Sequence, residues 1–221
     1  MLPVIKMFSQ IKMDHVPFIS HHHIVAADLN GNLTVSGKMP EGFIVTAEAF
    51  RIFLKENNLQ LPLIKILEEL DLQNFLNIFK IANAATQLIL RNELPHQLEI
   101  QIRNAHYALC GEEINVCVTV RSSATAEDLP ACGLTEQLET FVNIEGEDAL
   151  INAVHKSFAS LFSEKAIYDR YHKGINNADI AVSIAVEKMI QGDRASSNSE
   201  FPNHHLKSFD KIMSFKSVEE V

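Results

Sequence analysis

Val120-Arg121-Ser122-Ser123-Ala124-Thr125-Ala126-Glu127-Asp128-Leu129-Pro130 is the stretch on which the reading of this chain turns. Just before it, Ile114 to Val120 is short, apolar and β-branched, the composition of a buried strand. Arg121 to Gln137 is polar, with small residues, a proline and no apolar period, and this predicts a loop. An arginine where a buried strand meets a loop is held at its base while its guanidinium reaches into the loop. Its planar fork of donors suits bidentate contact with phosphate oxygens. The small residues behind it, with the hydroxyls of Ser122, Ser123 and Thr125, let backbone N–H groups approach an anion closely. The residues alone leave a second reading open, in which a strand-end Arg121 pairs with Glu127 or Asp128.

Downstream, Glu139 to Ile144 alternates as a second strand and Glu145-Gly146 turns the chain. Helices are predicted over Asp148 to Phe162 and Glu164 to Lys173, with Gly174 as a C-cap. Ile180 to Val186 reads as a third strand. Upstream, Thr46 is a good N-cap for a helix over Ala47 to Asn57, with Phe50, Phe53 and Leu54 on one face. Apolar residues at spacings of three and four continue from Leu61 to Leu90, with a break near Asp71 that could cap a further helix. Pro95 opens the next helix, which runs to about Leu109. Pro40-Glu41-Gly42-Phe43 reads as a turn, and Asp28 to Val35 as a turn leading into a short strand. Residues 206–221 could form a short amphipathic helix with little to pack against.

Composition limits the function. At 47% hydrophobic residues the chain can bury a real core. A net charge of −9 opposes general nucleic-acid binding, which needs a basic face, yet a single phosphate chain needs only a few local donors. Cys110, Cys117 and Cys132 show no paired spacing, which suits free thiols in a reducing cytoplasm, and Cys132 is read as a small loop residue. Neither a signal peptide nor an apolar run long enough for a bilayer is read, so a cytoplasmic chain without membrane contact is expected.

The stretch VRSSATAEDLP resembles the signature of the nucleotide-binding domain shared by phosphoenolpyruvate synthases, pyruvate phosphate dikinases and related phosphotransferases. The likeness continues in order through PEGFIVTAEAFRIFLKENNL (Pro40 to Leu59), ETFVNIEG, ASLFSEKAIYDRYHKGI and IAVSIAVEKMI, covering about residues 10–198. The wording RSSATAED resembles the synthase (pyruvate, water dikinase) branch. The resemblance implies an α+β fold, the first subdomain of an ATP-grasp-type nucleotide-binding domain, with a helical segment in the N-terminal half. It divides the chain into 1–198, with helical segment 46–109 and nucleotide-loop region 114–190, and an unrelated, poorly ordered tail at 199–221. It also implies ATP and Mg2+ as cofactors. Arg121 would contact phosphate and the Ser122 to Gln137 loop would cover the triphosphate. Ser122, Ser123, Thr125, Gln137, Glu139 and Glu187 are the further nucleotide-contacting positions it implies. In the parent reaction, ATP phosphorylates a histidine on a mobile domain, which then converts pyruvate to phosphoenolpyruvate with release of AMP and phosphate.

Four departures bear on activity. His22, within Ser20-His21-His22-His23, stands where the family pattern GGKNASLGEM has its lysine. A histidine with a pKa of about 6.5 is mostly neutral at pH 7 and shorter, so it replaces that lysine poorly. Three adjacent loop histidines do not readily converge on one ion, so no metal site is read there. Glu136 replaces a family glycine and would repel a triphosphate. Glu187 stands where the family has glutamine. The likeness stops near Asn198, before the second subdomain and the phosphohistidine and pyruvate domains, and residues 199–221 resemble nothing in the family. The expectation is therefore a truncated ATP-binding portion, inactive alone, completed by another chain or self-associating through an exposed surface. The alternatives are a non-catalytic interaction module and the front end of a rifampicin-type antibiotic phosphotransferase.

Overall fold

The computed structural model describes residues 4–10, 41–113, 116–126, 137–175 and 180–189. His21–His23, the expected turn at 28–35, residues 127–136 with Cys132, and residues 190–221 lie outside the described residues. The described part is α+β. Its strands are β1 (Ile5–Met7), β2 (Gly42–Val45), β3 (Cys117–Ala126), β4 (Gln137–Glu145) and β5 (Ile180–Lys188). They form one antiparallel sheet in the order β1-β2-β5-β3-β4. The helices are α1 (Ala47–Glu56), α2 (Gln60–Glu68), α3 (Ile78–Leu90), α4 (His96–Cys110), α5 (Glu147–Ser160) and α6 (Glu164–His172).

Residues directly paired across strands point to the same face of a sheet. The pairs Phe43–Val186, Val45–Ile184, Val120–Val186 and Ala124–Val182 therefore share one face. All of these side chains are buried, and they belong to a core cluster that also contains Phe50 and Phe53 of α1 and Leu150, Val154 and Phe158 of α5. The Phe158 ring meets Phe50 edge-on at 5.2 Å and Phe53 at 5.5 Å. These rings join the helical layer to the sheet, because each carries the largest apolar surface on its helix. At the edge of the layer, Arg103 of α4 donates to Glu99 of its own helix and to Glu147 and Asp148. Those last two carboxylates begin α5, where the positive end of the helix dipole also favours them.

Several boundaries differ from those read in the sequence. The strand expected to end at Val120 continues to Ala126, so Arg121 lies mid-strand. Its continuation looked like a loop because Ser122, Ser123, Ala124 and Thr125 carry no apolar alternation. In the sheet they pair with Ile184, Ser183, Val182 and Ala181 of β5, which supplies the apolar partners on one face. Pro40 to Phe43 was read as a turn, yet Gly42 and Phe43 begin β2. Gly42 is needed there for close approach. A Cβ would stand 2.3 Å from the Val186 carbonyl oxygen and 2.6 Å from the Phe8 ring. Strand β1 had no signal in the sequence because three residues cannot display a period. Thr46 does precede α1, but its hydroxyl donates to the Val4 carbonyl at 3.1 Å and not to the helix. Helix α3 begins after Asn77, while Asp71 accepts from the backbone N–H of Gln73 at 3.0 Å in the preceding turn.

Candidate functional site

The second face of the sheet has a different chemistry. On β5 it carries Ala181, Ser183, Ala185 and Glu187. On β3, the paired positions are Thr125, Ser123, Arg121 and Thr119 in the same order. The sequence IAVSIAV held this signal, since small residues alternate with Ile and Val at period two. Ala181, Ser183, Ala185 and Ser123 on this face are buried, and solvent reaches it at Arg121 and Glu187.

Arg121 and Glu187 meet on this face. Arg121 pairs in register with Ala185, and Glu187 lies two residues further along β5, within diagonal reach. The Arg121 Nε stands 3.2 Å from the Glu187 carboxylate, with side-chain exposures of 43% and 21%. That Nε is buried and makes no well-oriented hydrogen bond, so proximity to the carboxylate does not satisfy its N–H. Burial pushes the Glu187 carboxyl above the ordinary range, and the guanidinium pulls it partly back. The partner of Arg121 is thus Glu187 from a remote strand, whereas Glu127 and Asp128 lie outside the described residues.

The other positions named from the sequence are distributed unevenly around this pair. Ser123 faces Ser183 across β3 and β5, and both are buried. Ser122 points to the helical side. Its hydroxyl donates to the Glu139 carbonyl and accepts from the Glu139 N–H, each at 3.0 Å, and so clasps β3 to β4. Thr125 pairs in backbone register with Ala181, and Gln137 with Ser123. Glu139 is exposed on β4, near one of two irregularities at which extra β4 residues are accommodated opposite β3. Such bulges re-aim side chains next to sites. Thr140, opposite Arg121, and Ser183 share the site face, and the sequence reading did not single them out. His22 lies outside the described residues.

The arrangement can bind an anion at one point. A half-exposed guanidinium with an unsatisfied buried Nε suits a phosphate, whose oxygens could take the donors that Glu187 does not engage. Among the described residues no group of three or more His, Cys, Asp or Glu is placed to hold a metal ion. Also among the described residues, no helix is long and apolar enough to cross a membrane.

Comparison with known proteins identifies the relatives of this chain. The family described as "Pyruvate phosphate dikinase, AMP/ATP-binding domain" matches residues 27–217, so the likeness does not stop near Asn198 as expected from the sequence. The phosphoenolpyruvate synthase of Escherichia coli (strain K12) is 32% identical over 217 residues, covering 98% of this chain and 27% of that protein. The Synechocystis phosphoenolpyruvate synthase is 34% identical over 96% of this chain and 26% of its own length. A probable phosphoenolpyruvate synthase of Archaeoglobus fulgidus is 36% identical over 76% of the chain and 23% of its own length. The chain therefore spans about a quarter of the length of these relatives. Its match over most of its length makes it a member of the pyruvate phosphate dikinase AMP/ATP-binding domain family, within which its relatives are phosphoenolpyruvate synthases.

Proposed function

We propose that this chain is the first subdomain of an ATP-grasp-type domain and that it holds the triphosphate of ATP at Arg121. The observation that carries this reading is the Arg121 guanidinium on the small-residue face of the sheet, with a buried Nε that Glu187 does not satisfy. Ser123 and Ser183 flank it on the same face. Thr125 near the end of β3 and Gln137 and Glu139 at the start of β4 are the further nucleotide-contacting positions of this reading. Ser122 acts indirectly, by fixing β4 against β3.

The parent reaction is that of the synthases: ATP, pyruvate and water give AMP, phosphoenolpyruvate and phosphate through a phosphohistidine. These 221 residues supply the nucleotide-binding part of that chemistry and do not complete the transfer by themselves. Their histidines show no Cys-Gly-Gly…His phosphohistidine context. Mg2+ would accompany the triphosphate, held chiefly by phosphate oxygens, since the described residues gather no cluster of ligands for it. The second half of the site would come from further sequence or a complementing chain, in the cytoplasm where ATP is available.

The test is isothermal titration of the folded chain with ATP and Mg2+, repeated with Arg121→Ala. Saturable binding that the substitution weakens at least tenfold is expected. No heat at millimolar ATP from a protein shown to be folded would sink the reading. A second reading, an interaction module, draws on Leu76 and Phe79, which are 84% and 69% exposed. It requires concentration-dependent association, measured by sedimentation, that Leu76→Ser with Phe79→Ser abolishes.

A further inference from the structure

We infer that Glu187 is an internal competitor for the phosphate-binding arginine: its carboxylate occupies part of the Arg121 guanidinium, so that a polyphosphate anion binds only by displacing it or accepting its repulsion. The inference rests on the nucleotide reading above and adds to it the residue that sets its anion affinity.

Three observations carry it. The first is geometry. Glu187 and Arg121 sit on the same face of adjacent strands, 3.2 Å apart, with the Glu187 side chain 21% exposed. The second is the absence of another cation for this carboxylate. Lys188, its neighbour in sequence, belongs to the opposite side of the strand and is held by Glu113 and Glu41. Lys6 lies on β1, beyond the whole width of β2. Among the described residues Arg121 is the charge that Glu187 faces. The third is the incomplete pairing itself. Because Nε makes no well-oriented hydrogen bond to Glu187, the pair is an electrostatic contact and not a closed bidentate fork. Such a contact yields to a better acceptor, and a phosphate group offers three oxygens.

The carboxylate acts in two ways on an arriving anion. It offsets the charge of Arg121, the cation it faces among the described residues, and it stands within a few ångströms of where phosphate oxygens would lie. In a partly buried site both effects are weakly screened by salt. A glutamine of the same length keeps the packing and removes the charge.

The experiment measures dissociation constants for ATP with Mg2+ and, separately, for inorganic tripolyphosphate. The proteins are the wild-type chain, Glu187→Gln, Arg121→Ala and the double variant, each checked for folding by circular dichroism and a thermal melt. Glu187→Gln is expected to bind both ligands at least tenfold more tightly than wild type, about 1.4 kcal/mol. The double variant is expected to lose that gain. Wild type binding ATP with Glu187→Gln no tighter would overturn the inference and leave the nucleotide reading standing. A gain that survives Arg121→Ala would also overturn it, by showing a general charge effect. Tighter binding of tripolyphosphate without ATP binding would support the competitor role and sink the nucleotide reading. No binding of either ligand by any folded variant would overturn both.

Discussion

At the scale of single residues, a buried and a partly buried titratable group pull the stability of this fold in opposite directions with pH. His106 is 6% exposed on α4, and its imidazole is pushed below the ordinary 6.5 by burial, with the charge of Glu147 opposing. The folded state therefore prefers the neutral ring. Its contribution is complete above about pH 6.5 and is lost as pH falls through the depressed folded value. Glu187 behaves in reverse, because burial raises its carboxyl above 4.5 against the pull of Arg121. The folded state takes up that proton first, so its contribution is fully present below 4.5 and is lost as pH rises through the raised value. Urea midpoints measured from pH 7.5 down to 4.5 test both signs. His106→Gln should flatten the acid-side loss, and Glu187→Gln should deepen it at the lower end. An unchanged pH slope in His106→Gln would refute the first assignment. At this same scale Arg121 was legible as the anion-binding candidate from strand position and residue type. Its partner was not, because Glu187 lies 66 positions away and only the β3–β5 register brings the two together.

At the scale of elements, the sheet depends on a close approach that a sequence does not display. Gly42 pairs with Glu187, and a side chain there would collide with the Val186 backbone carbonyl, which cannot rotate aside. Gly42→Ala should therefore destabilise by about 1–3 kcal/mol, as overpacking of a rigid contact does. Because β2 would shift against β5, the Arg121–Glu187 face should be disturbed as well, read as weaker ATP binding by the folded fraction. A wild-type urea midpoint in that variant would contradict the contact. Helix α6 offers a gentler case. Ser163 accepts from the Ala166 N–H at 3.3 Å as its N-cap, so Ser163→Ala should cost about 1 kcal/mol and leave nucleotide binding unchanged. Helices were legible to within a few residues because Phe50, Phe53, Leu98 and Ile102 mark their buried stripes. The strands were less so. Arg121 to Thr125 looked like a loop because its alternation is of small against polar residues, and β1 and β2 are too short for any period to emerge.

At the scale of the whole molecule, the helical layer and the sheet share one core, and this decides how the protein opens. Phe158 contacts Phe50 and Phe53 of α1, and belongs to the same buried cluster as Ile89 of α3 and Ile184 of β5. Among the described residues no polar seam divides helices from strands along that cluster. The nearest buried charge is Arg170, whose guanidinium donates to the Leu161 carbonyl and lies 6.0 Å from the Phe162 ring centroid, tying α6 to the end of α5. A core without a seam opens as a unit, so the slowest-exchanging amides of α3 and of β5 should report the same free energy of opening. Phe158→Ala leaves a cavity at the junction and should lower that free energy by about 3–5 kcal/mol. The loss should be equal in both layers, since the ring belongs to neither alone. Native-state hydrogen exchange followed at Ile89 and Ile184 provides the measurement. Equal losses would mean that the face carrying Arg121 and Glu187 is as stable as the helices behind it, so that Arg121 is presented on a rigid support. A loss confined to α3 would mean instead that β3 and β5 hold together without the helical layer, and the coupling drawn here between core and site would be wrong.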